Sequence, residues 1–191
     1  MSTVNIPAWN STGVLPPIDI SDPTGIERSP YPVRLIDVLE RFCTSQQRHS
    51  ILCGFLEYRA AIHGLGFVDG FQWLDGSFLE DVELLEHRSP NDIDVVTFLR
   101  SPSNIDPLPN GWEDVLSNPM ATKSNFRVDG YTVALFELPS DQIVIWGAYW
   151  YSMWSHKRSL TWKGFLQVDL AMNDDSEALR WMSEIQASNE W

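Results

Sequence analysis

The chain has 191 residues, of which 43% are apolar and 12% aromatic, including nine tryptophans. This length and composition are typical of one packed domain and exclude a disordered or fibrous protein. A formal charge of -13 disfavours a broad grip on nucleic acid, because that grip needs many Lys and Arg side chains to neutralise phosphates.

The N-terminal third begins with an irregular segment and continues with two helices. Residues 1–33 contain six prolines and few apolar clusters, which predicts an irregular arm lying on the surface or on a partner. A short helix follows from residue 33 or 34 to Phe42. A longer one is predicted over residues 46–63, with apolar residues on one face and Gly64 and Gly66 at its end: Ile51, Phe55, Tyr58 and Ile62.

Two strands are predicted next, over residues 71–75 and 93–99. The connection between them, residues 78–91, is longer than a hairpin needs and contains four acids: Glu80, Asp81, Glu83 and Glu86. Leu79, Val82 and Leu85 have helical spacing, which favours a short helix with its acids outward. The competing interpretation is that these acids mark a degenerate site, since they would repel a bound phosphate group.

The C-terminal half alternates loops, strands and helices. The predicted elements are a loop-rich region over residues 101–125 with a short helix at 112–116, a strand at 126–138, a helix at 140–157, a strand at 161–170 and a helix at 176–187. Trp146, Trp150 and Trp154 form one stripe of the helix at 140–157, typical of a core or subunit interface and less often of a surface that stacks on a base. The fold class is therefore α+β, a mixed sheet flanked by helices, with residues 34–191 as one domain.

The most informative motif is Asp92-Ile93-Asp94, at the start of the second strand. Side chains alternate along a strand, so Asp92 and Asp94 share one face about 6.6 Å apart along the backbone. Magnesium takes oxygen ligands, usually one or two carboxylates together with substrate phosphates. The two carboxylates are therefore half of a metal site, although an Asx turn that caps a strand start would give the same pattern.

The first strand ends at Gly76-Ser77, a turn that supplies what carboxylates lack. The glycine allows the backbone to approach a ligand closely, and the serine offers a hydroxyl for phosphate oxygens. Positive charge is scarce in the chain and gathers at His156, Lys157, Arg158 and Lys163. Arg158 and Lys163 could neutralise phosphate charge, while a purely structural role near a helix C-terminus is the alternative.

Several segments together resemble the nucleotidyltransferase superfamily of DNA polymerase beta type, especially its minimal bacterial members. The resemblance is carried by four segments that span nearly the whole chain: Val14-Leu15-Pro16-Pro17, Trp73-Leu74-Asp75-Gly76-Ser77-Phe78, Pro90-Asn91-Asp92-Ile93-Asp94-Val95-Val96 and Trp162-Lys163-Gly164. It implies a nucleotidyltransferase-like fold for the domain. It also implies Mg²⁺ or Mn²⁺ at Asp92 and Asp94, with Asp92 bridging two ions.

The resemblance further implies a third carboxylate on a later strand, as a metal ligand or as a group that deprotonates the attacking hydroxyl. Asp129 is the best candidate, with Lys123 or Arg127 nearby. Glu137 lies too far along the strand, and Asp141 stands where a helix N-cap is expected. The predicted catalytic and metal-binding set is thus Asp92, Asp94 and Asp129, and the nucleotide-binding set is Gly76, Ser77, Arg158 and Lys163.

Two functions follow from these expectations. The first is an enzyme that moves a nucleoside monophosphate from a nucleoside triphosphate to a hydroxyl of a protein, tRNA or small molecule, in a setting such as toxin-antitoxin pairing or phage defence. The alternative is an inactive nucleotidyltransferase-like module that engages a partner protein through its acidic surface. The sequence lacks a secretory signal, a long apolar run and a disulfide framework, so we expect a cytoplasmic protein without membrane contact.

Overall fold

The computed structural model describes residues 3–188, and within them five strands form one mixed sheet. The strands are β1 Tyr31–Pro32, β2 Gly70–Asp75, β3 Ile93–Leu99, β4 Val128–Ala134 and β5 Leu166–Asp169. Their order across the sheet is β1-β5-β2-β3-β4. β2 runs antiparallel to β3 and β5, whereas β3 with β4 and β1 with β5 are parallel.

Seven α-helices accompany the sheet in the described part of the chain: α1 Leu35–Phe42, α2 Gln46–Gly64, α3 Val82–Leu85, α4 Trp112–Leu116, α5 Pro119–Phe126, α6 Ser140–Trp154 and α7 Asp175–Ser188. α2 begins at a conventional cap, where the Ser45 side chain accepts a hydrogen bond from the Arg48 amide. Three 3-10 turns precede α3, α6 and α7. None of the helices described is long and apolar enough to cross a membrane.

Helices cover both faces of the sheet, because side chains alternate along each strand. Gln72 faces α2, where it accepts a 2.8 Å hydrogen bond from the buried Arg59 guanidinium. Trp73 faces the other side, together with Tyr131 of the aligned row. There the Tyr131 ring packs 5.0 Å from the ring of Trp150 on α6. The core therefore lies in two layers, one on each side of the strands.

Residues 3–33 are mostly irregular and pack into the domain. Val14 and Leu15 are completely buried or nearly so, and the Leu15 carbonyl accepts a 2.7 Å bond from the Gly164 amide. Trp9 donates its indole N–H to the Leu79 carbonyl at 2.7 Å. The arm predicted over residues 1–33 thus contributes core residues as well as strand β1. The outer ends of the two predicted segments, residues 1–2 and 189–191, lie outside the described residues.

The structure confirms the α+β class, the mixed sheet and the two central strands. Two expectations were wrong. The region at 101–125 is not only loop with one short helix, because α5 occupies its end and includes Phe126, which had been assigned to a strand. The last strand is shorter than residues 161–170, since Lys157 and Lys163 make local backbone bonds around a turn before β5 begins.

Candidate functional site

Three neighbouring strands bring three carboxylates into one row. Asp75 ends β2 and is paired in register with Asp94 on β3, and Asp94 is paired with Asp129 on β4. Asp92 immediately precedes β3 and stands on the same side as Asp94, two residues away. The predicted set of Asp92, Asp94 and Asp129 therefore meets at one end of the sheet. We call these three residues the carboxylate cluster.

Lys123 of α5 joins the carboxylate cluster. Its Nζ lies 2.6 Å from Asp92 Oδ2 and 4.0 Å from Asp129 Oδ2, so one ammonium touches both acids. The hydrogen bond to Asp92 raises the pKa of Lys123 above its ordinary value, and the other two carboxylates add to the effect. The lysine side chain is 54% exposed and sits on a short helix at the rim, where a long flexible stem has room to move.

Asp94 is the carboxylate of the cluster whose ionised form is disfavoured. Burial, together with the neighbouring charges of Asp129 and Asp92, raises the pKa of Asp94 to about 6, against the opposing effects of Lys163 and Lys123. An ionised Asp94 is therefore insufficiently compensated by the protein alone. A perturbed carboxyl group of this kind is typical of functional sites.

The Gly76-Ser77 turn abuts Asp94. Gly76 has a φ of 88° and a ψ of -177°, a conformation open almost only to glycine. A Cβ at this position would lie 2.7 Å from Asp94 Oδ2, so glycine is also required by space. Ser77 begins the following 3-10 turn and is half-buried. The predicted backbone turn thus lies directly against the carboxylate cluster.

A second group of charged side chains lies buried next to the carboxylate cluster. Asp75 is 3% exposed, and its Oδ1 lies 2.9 Å from the Nζ of Lys163. Lys163 also donates to Glu80 at 3.0 Å, and Glu80 pairs with Lys157 at 2.8 Å. Burial raises the pKa of Asp75 to about 7 despite the neighbouring ammonium. Burial lowers the pKa of Lys163, but its two carboxylate partners raise it by more, so the lysine stays charged.

These contacts bear on the predicted nucleotide-binding residues. Lys163 is buried and already held by two carboxylates, an arrangement that favours the structural alternative for its role. Arg158 is exposed in the turn after α6, and within residues 3–188 it forms no ion pair. Gly76 and Ser77 are beside the carboxylate cluster. The structure therefore brings the Gly76-Ser77 turn and the carboxylate cluster together. Arg158 makes no ion pair with the cluster.

The acidic connection between β2 and β3 differs from its predicted form. Glu80 is 6% exposed and points inward to Lys163 and Lys157, so the expectation that all four acids face outward was wrong. Glu83 accepts from the buried Arg48 guanidinium at 2.6 Å. Arg48 also donates to the carbonyls of Phe78 and Glu80, at 2.6 and 2.8 Å. Glu80 and Glu83 therefore hold this segment in place through ion pairs and need not face a ligand.

The sequence alone assigned no role to Asp75, and it did not show that Lys123 contacts the carboxylate cluster. Asp75 stands next to Gly76 in the motif, but its burial opposite Asp94 depends on the antiparallel pairing of β2 with β3. Lys123 approaches from α5, a helix that the proline-rich composition concealed. A lysine six residues before the acid of the next strand, Asp129, is a weak local signal for such contact.

The donor set fits a hard divalent cation in its chemistry. All three cluster side chains offer carboxylate oxygens, and Asp94 lacks full compensation from the protein. Among the residues that the structure describes, no group of three or more His, Cys, Asp and Glu side chains is placed so that it could hold a metal ion. Instead, the Lys123 ammonium bridges Asp92 and Asp129. The cluster thus offers oxygen atoms of the kind that Mg²⁺ and Mn²⁺ take as ligands, and the positive charge beside them comes from Lys123.

Comparison with known proteins gives one match. A family model described as DUF6932, a family of unknown function, matches residues 7–169. No curated protein matches the chain. No solved structure matches it either.

Proposed function

The chain belongs to the DUF6932 family, and we propose from its site that it is a metal-dependent nucleotidyltransferase. The observation that carries the proposal is the meeting of Asp92, Asp94 and Asp129 beside the Gly76-Ser77 turn. Lys123 contacts two of the acids, and Gly76 has no room for a Cβ against the third. An Asx turn that caps a strand, or a solvated acidic surface, would need neither a lysine shared by two of the acids nor the close approach of Gly76 to Asp94.

In this proposal Asp92, Asp94 and Asp129 hold Mg²⁺ or Mn²⁺ together with the phosphates of a nucleoside triphosphate. When bound, the metal neutralises phosphate charge and aligns the attacking and leaving oxygens. The half-exposed Lys123 side chain would have to move away from Asp92 and Asp129, because its ammonium and a cation would compete for the same oxygens. With a pKa of about 6, Asp94 would be mostly ionised near neutral pH and so could serve as a ligand there.

The reaction proposed is a displacement at the α-phosphorus. A hydroxyl oxygen of the acceptor bonds to this phosphorus, the bond to the β-phosphate oxygen breaks, and pyrophosphate leaves. Asp129 is the carboxylate farthest toward the sheet edge, since β4 is the last strand of the sheet. Its side chain is 27% exposed, more than the 16% of Asp92, so an acceptor hydroxyl could approach it and pass it the proton. The Ser77 hydroxyl and backbone would bind the outer phosphates.

The charge balance of the site favours a second candidate function. Lys163 is enclosed by Asp75 and Glu80, and Lys123 is engaged by the carboxylate cluster. A triphosphate would therefore meet few free cations from the protein. An inactive nucleotidyltransferase-like module that engages a partner through its acidic surface would require none. The two candidates differ in whether the cluster binds metal and nucleotide.

The test uses triphosphates labelled at the α-phosphate, with protein, tRNA and small-molecule fractions offered as acceptors. The proposal predicts metal-dependent transfer of label by the wild type, and none by an Asp92→Asn/Asp94→Asn variant that unfolds as the wild type does or at higher denaturant. A label at the γ-phosphate should not be transferred. If titration calorimetry with each triphosphate detects no binding with Mg²⁺ or Mn²⁺, the inactive module is the better account.

A further inference from the structure

β4 has an outer edge that no other strand covers. It is the last strand of the sheet, and its inner edge pairs with β3. The Ile93 amide donates to the Arg127 carbonyl, so residue 127 and every second residue after it direct their backbone groups toward β3. Gly130 points the other way and donates its N–H to the Thr122 hydroxyl at 3.2 Å. The backbone of Thr132 must therefore also point outward.

The outward groups of Thr132 have no partner within residues 3–188. Neither its N–H nor its carbonyl bonds to a described residue, and the next outward N–H along the edge belongs to Ala134. An edge of this kind offers donors and acceptors at the spacing of another polypeptide backbone. The pairing face is short, because a 3-10 turn at Leu135–Glu137 ends the strand.

A cavity of about 530 Å³ lies along the same edge. Its walls come from β4 between Gly130 and Ala134, from aromatic residues of α6 and from the connection between α4 and α5: Trp146, Tyr149, Trp150, Leu116, Ser117 and Pro119. The volume lies in the range that holds a large side chain or a small ligand. Trp150 is 5% exposed, and its indole N–H is buried without a hydrogen-bond partner in the described chain. The cavity thus has aromatic walls, one of which belongs to a tryptophan with an unpaired, buried N–H.

The charge around this edge restricts what can bind there. Glu137 lines the cavity, Asp129 stands at the start of the same strand, and the chain has a net charge of -13. A nucleic acid strand would be repelled, because its affinity depends on neutralised phosphates. A polypeptide with a basic side chain beside Glu137 is complementary in charge, and its backbone matches the free groups of Thr132.

We propose that the outer edge of β4 binds a short extended polypeptide segment as an added strand, with an aromatic or large apolar side chain in the cavity beside Trp146 and Trp150. Main-chain bonds to Thr132 would supply affinity, and the cavity would supply specificity. If this segment is also the acceptor, a role that depends on the proposed function, it presents its hydroxyl toward Asp129 at the start of β4.

The test is a selection from displayed random peptides of about eight residues on the full-length protein, without metal or nucleotide. The key variant is Thr132→Pro, which removes the outward N–H at a position whose own backbone makes no bond to β3. The matched control is Thr132→Val, which keeps that N–H. Trp146→Ala removes one cavity wall at a partly exposed position, so it tests the cavity independently of the strand backbone.

The proposal predicts enriched peptides that contain an aromatic and a basic residue. They should bind wild type and Thr132→Val alike. They should bind Thr132→Pro and Trp146→Ala about tenfold more weakly, the loss expected for one main-chain bond or for a central aromatic contact. Hydrogen exchange at the Thr132 amide should slow in the complex. Retained binding by Asp94→Asn would separate this surface from catalysis, so failure of the transferase proposal would leave it intact.

Two outcomes would overturn the inference. One is the absence of any enriched peptide, or peptides that bind Thr132→Pro as well as wild type. The other is a wild-type dimer in sedimentation equilibrium that Thr132→Pro dissociates, since the edge would then pair with a second copy of the chain.

Discussion

Replacing Asp94 with asparagine should stabilise the protein at high pH, because the ionised carboxyl is unfavourable in the folded state. Its pKa is about 6 when folded, against 3.8 for an unperturbed group. The folded protein therefore holds the proton more tightly than the unfolded chain. The stability due to protonation is complete below about pH 4 and is lost as the pH rises through about 6.

The size of the effect follows from this difference. Because the pKa of Asp94 is about two higher in the folded state than in the unfolded chain, its ionisation destabilises the folded protein by about 3 kcal/mol at about pH 8. The destabilisation is about half of that at about pH 5. Asparagine never ionises, so Asp94→Asn escapes the whole amount. We expect the variant's gain in free energy of unfolding to be about 1.5 kcal/mol larger at the higher pH. Comparing two pH values cancels the cost of any lost hydrogen bond that does not depend on pH.

The assay is urea unfolding followed by tryptophan fluorescence, with a chelator present to exclude metal. The matched control is Asp106→Asn, the same substitution at an exposed acid in the loop after β3. If Asp94→Asn gains no more at high pH than at low pH, the carboxylate cluster is not under electrostatic strain, and the argument for a cation there loses its physical basis.

Three further predictions concern the surroundings of the cluster. Gly76→Ala should cost about 1–3 kcal/mol, more than Gly111→Ala, because only Gly76 combines a positive φ with a carboxylate 2.7 Å from the added Cβ; equal losses in thermal unfolding would remove the crowding argument. Lys163→Met should cost about 3–5 kcal/mol near neutral pH by leaving the buried Asp75 carboxyl without a cation, and a loss under about 1 kcal/mol would argue against the buried network. Lys123→Gln should destabilise the protein more at high than at low pH and make added Mg²⁺ more stabilising than in wild type; unchanged unfolding curves would contradict the shared counter-ion.

Local patterns predicted the central strands and the long helix because their signals lie within a few residues. β3 is almost wholly buried and has the expected bounds, and all four apolar positions predicted on α2 are completely buried. The N-terminal segment was harder to interpret. Its prolines indicated irregular backbone, but the burial of Val14 and Leu15 depends on pairing with the Gly164 region, far away in the chain.

Within the candidate site, too, local patterns predicted some residues, whereas others depend on contacts between distant parts of the chain. The spacing of Asp92 and Asp94 was visible in the sequence, as was the Gly76-Ser77 turn. Asp129 required the family resemblance, because its alignment with Asp94 follows from a parallel pairing across a long connection. The buried partners of Lys163 could not be predicted, since Asp75 and Glu80 reach it from separate elements of the tertiary structure.

The central claim is that Asp92, Asp94 and Asp129 together hold a divalent cation with a nucleoside triphosphate. Electron paramagnetic resonance of Mn²⁺ titrated into the protein, with and without nucleotide, measures this directly. We predict that wild type with a triphosphate removes at least one more Mn²⁺ ion per chain from solution than the nucleotide alone removes, and that Asp94→Asn and Asp129→Asn remove no more than the nucleotide alone. Equal Mn²⁺ binding by wild type and both variants, or none by wild type with any triphosphate, would contradict the account.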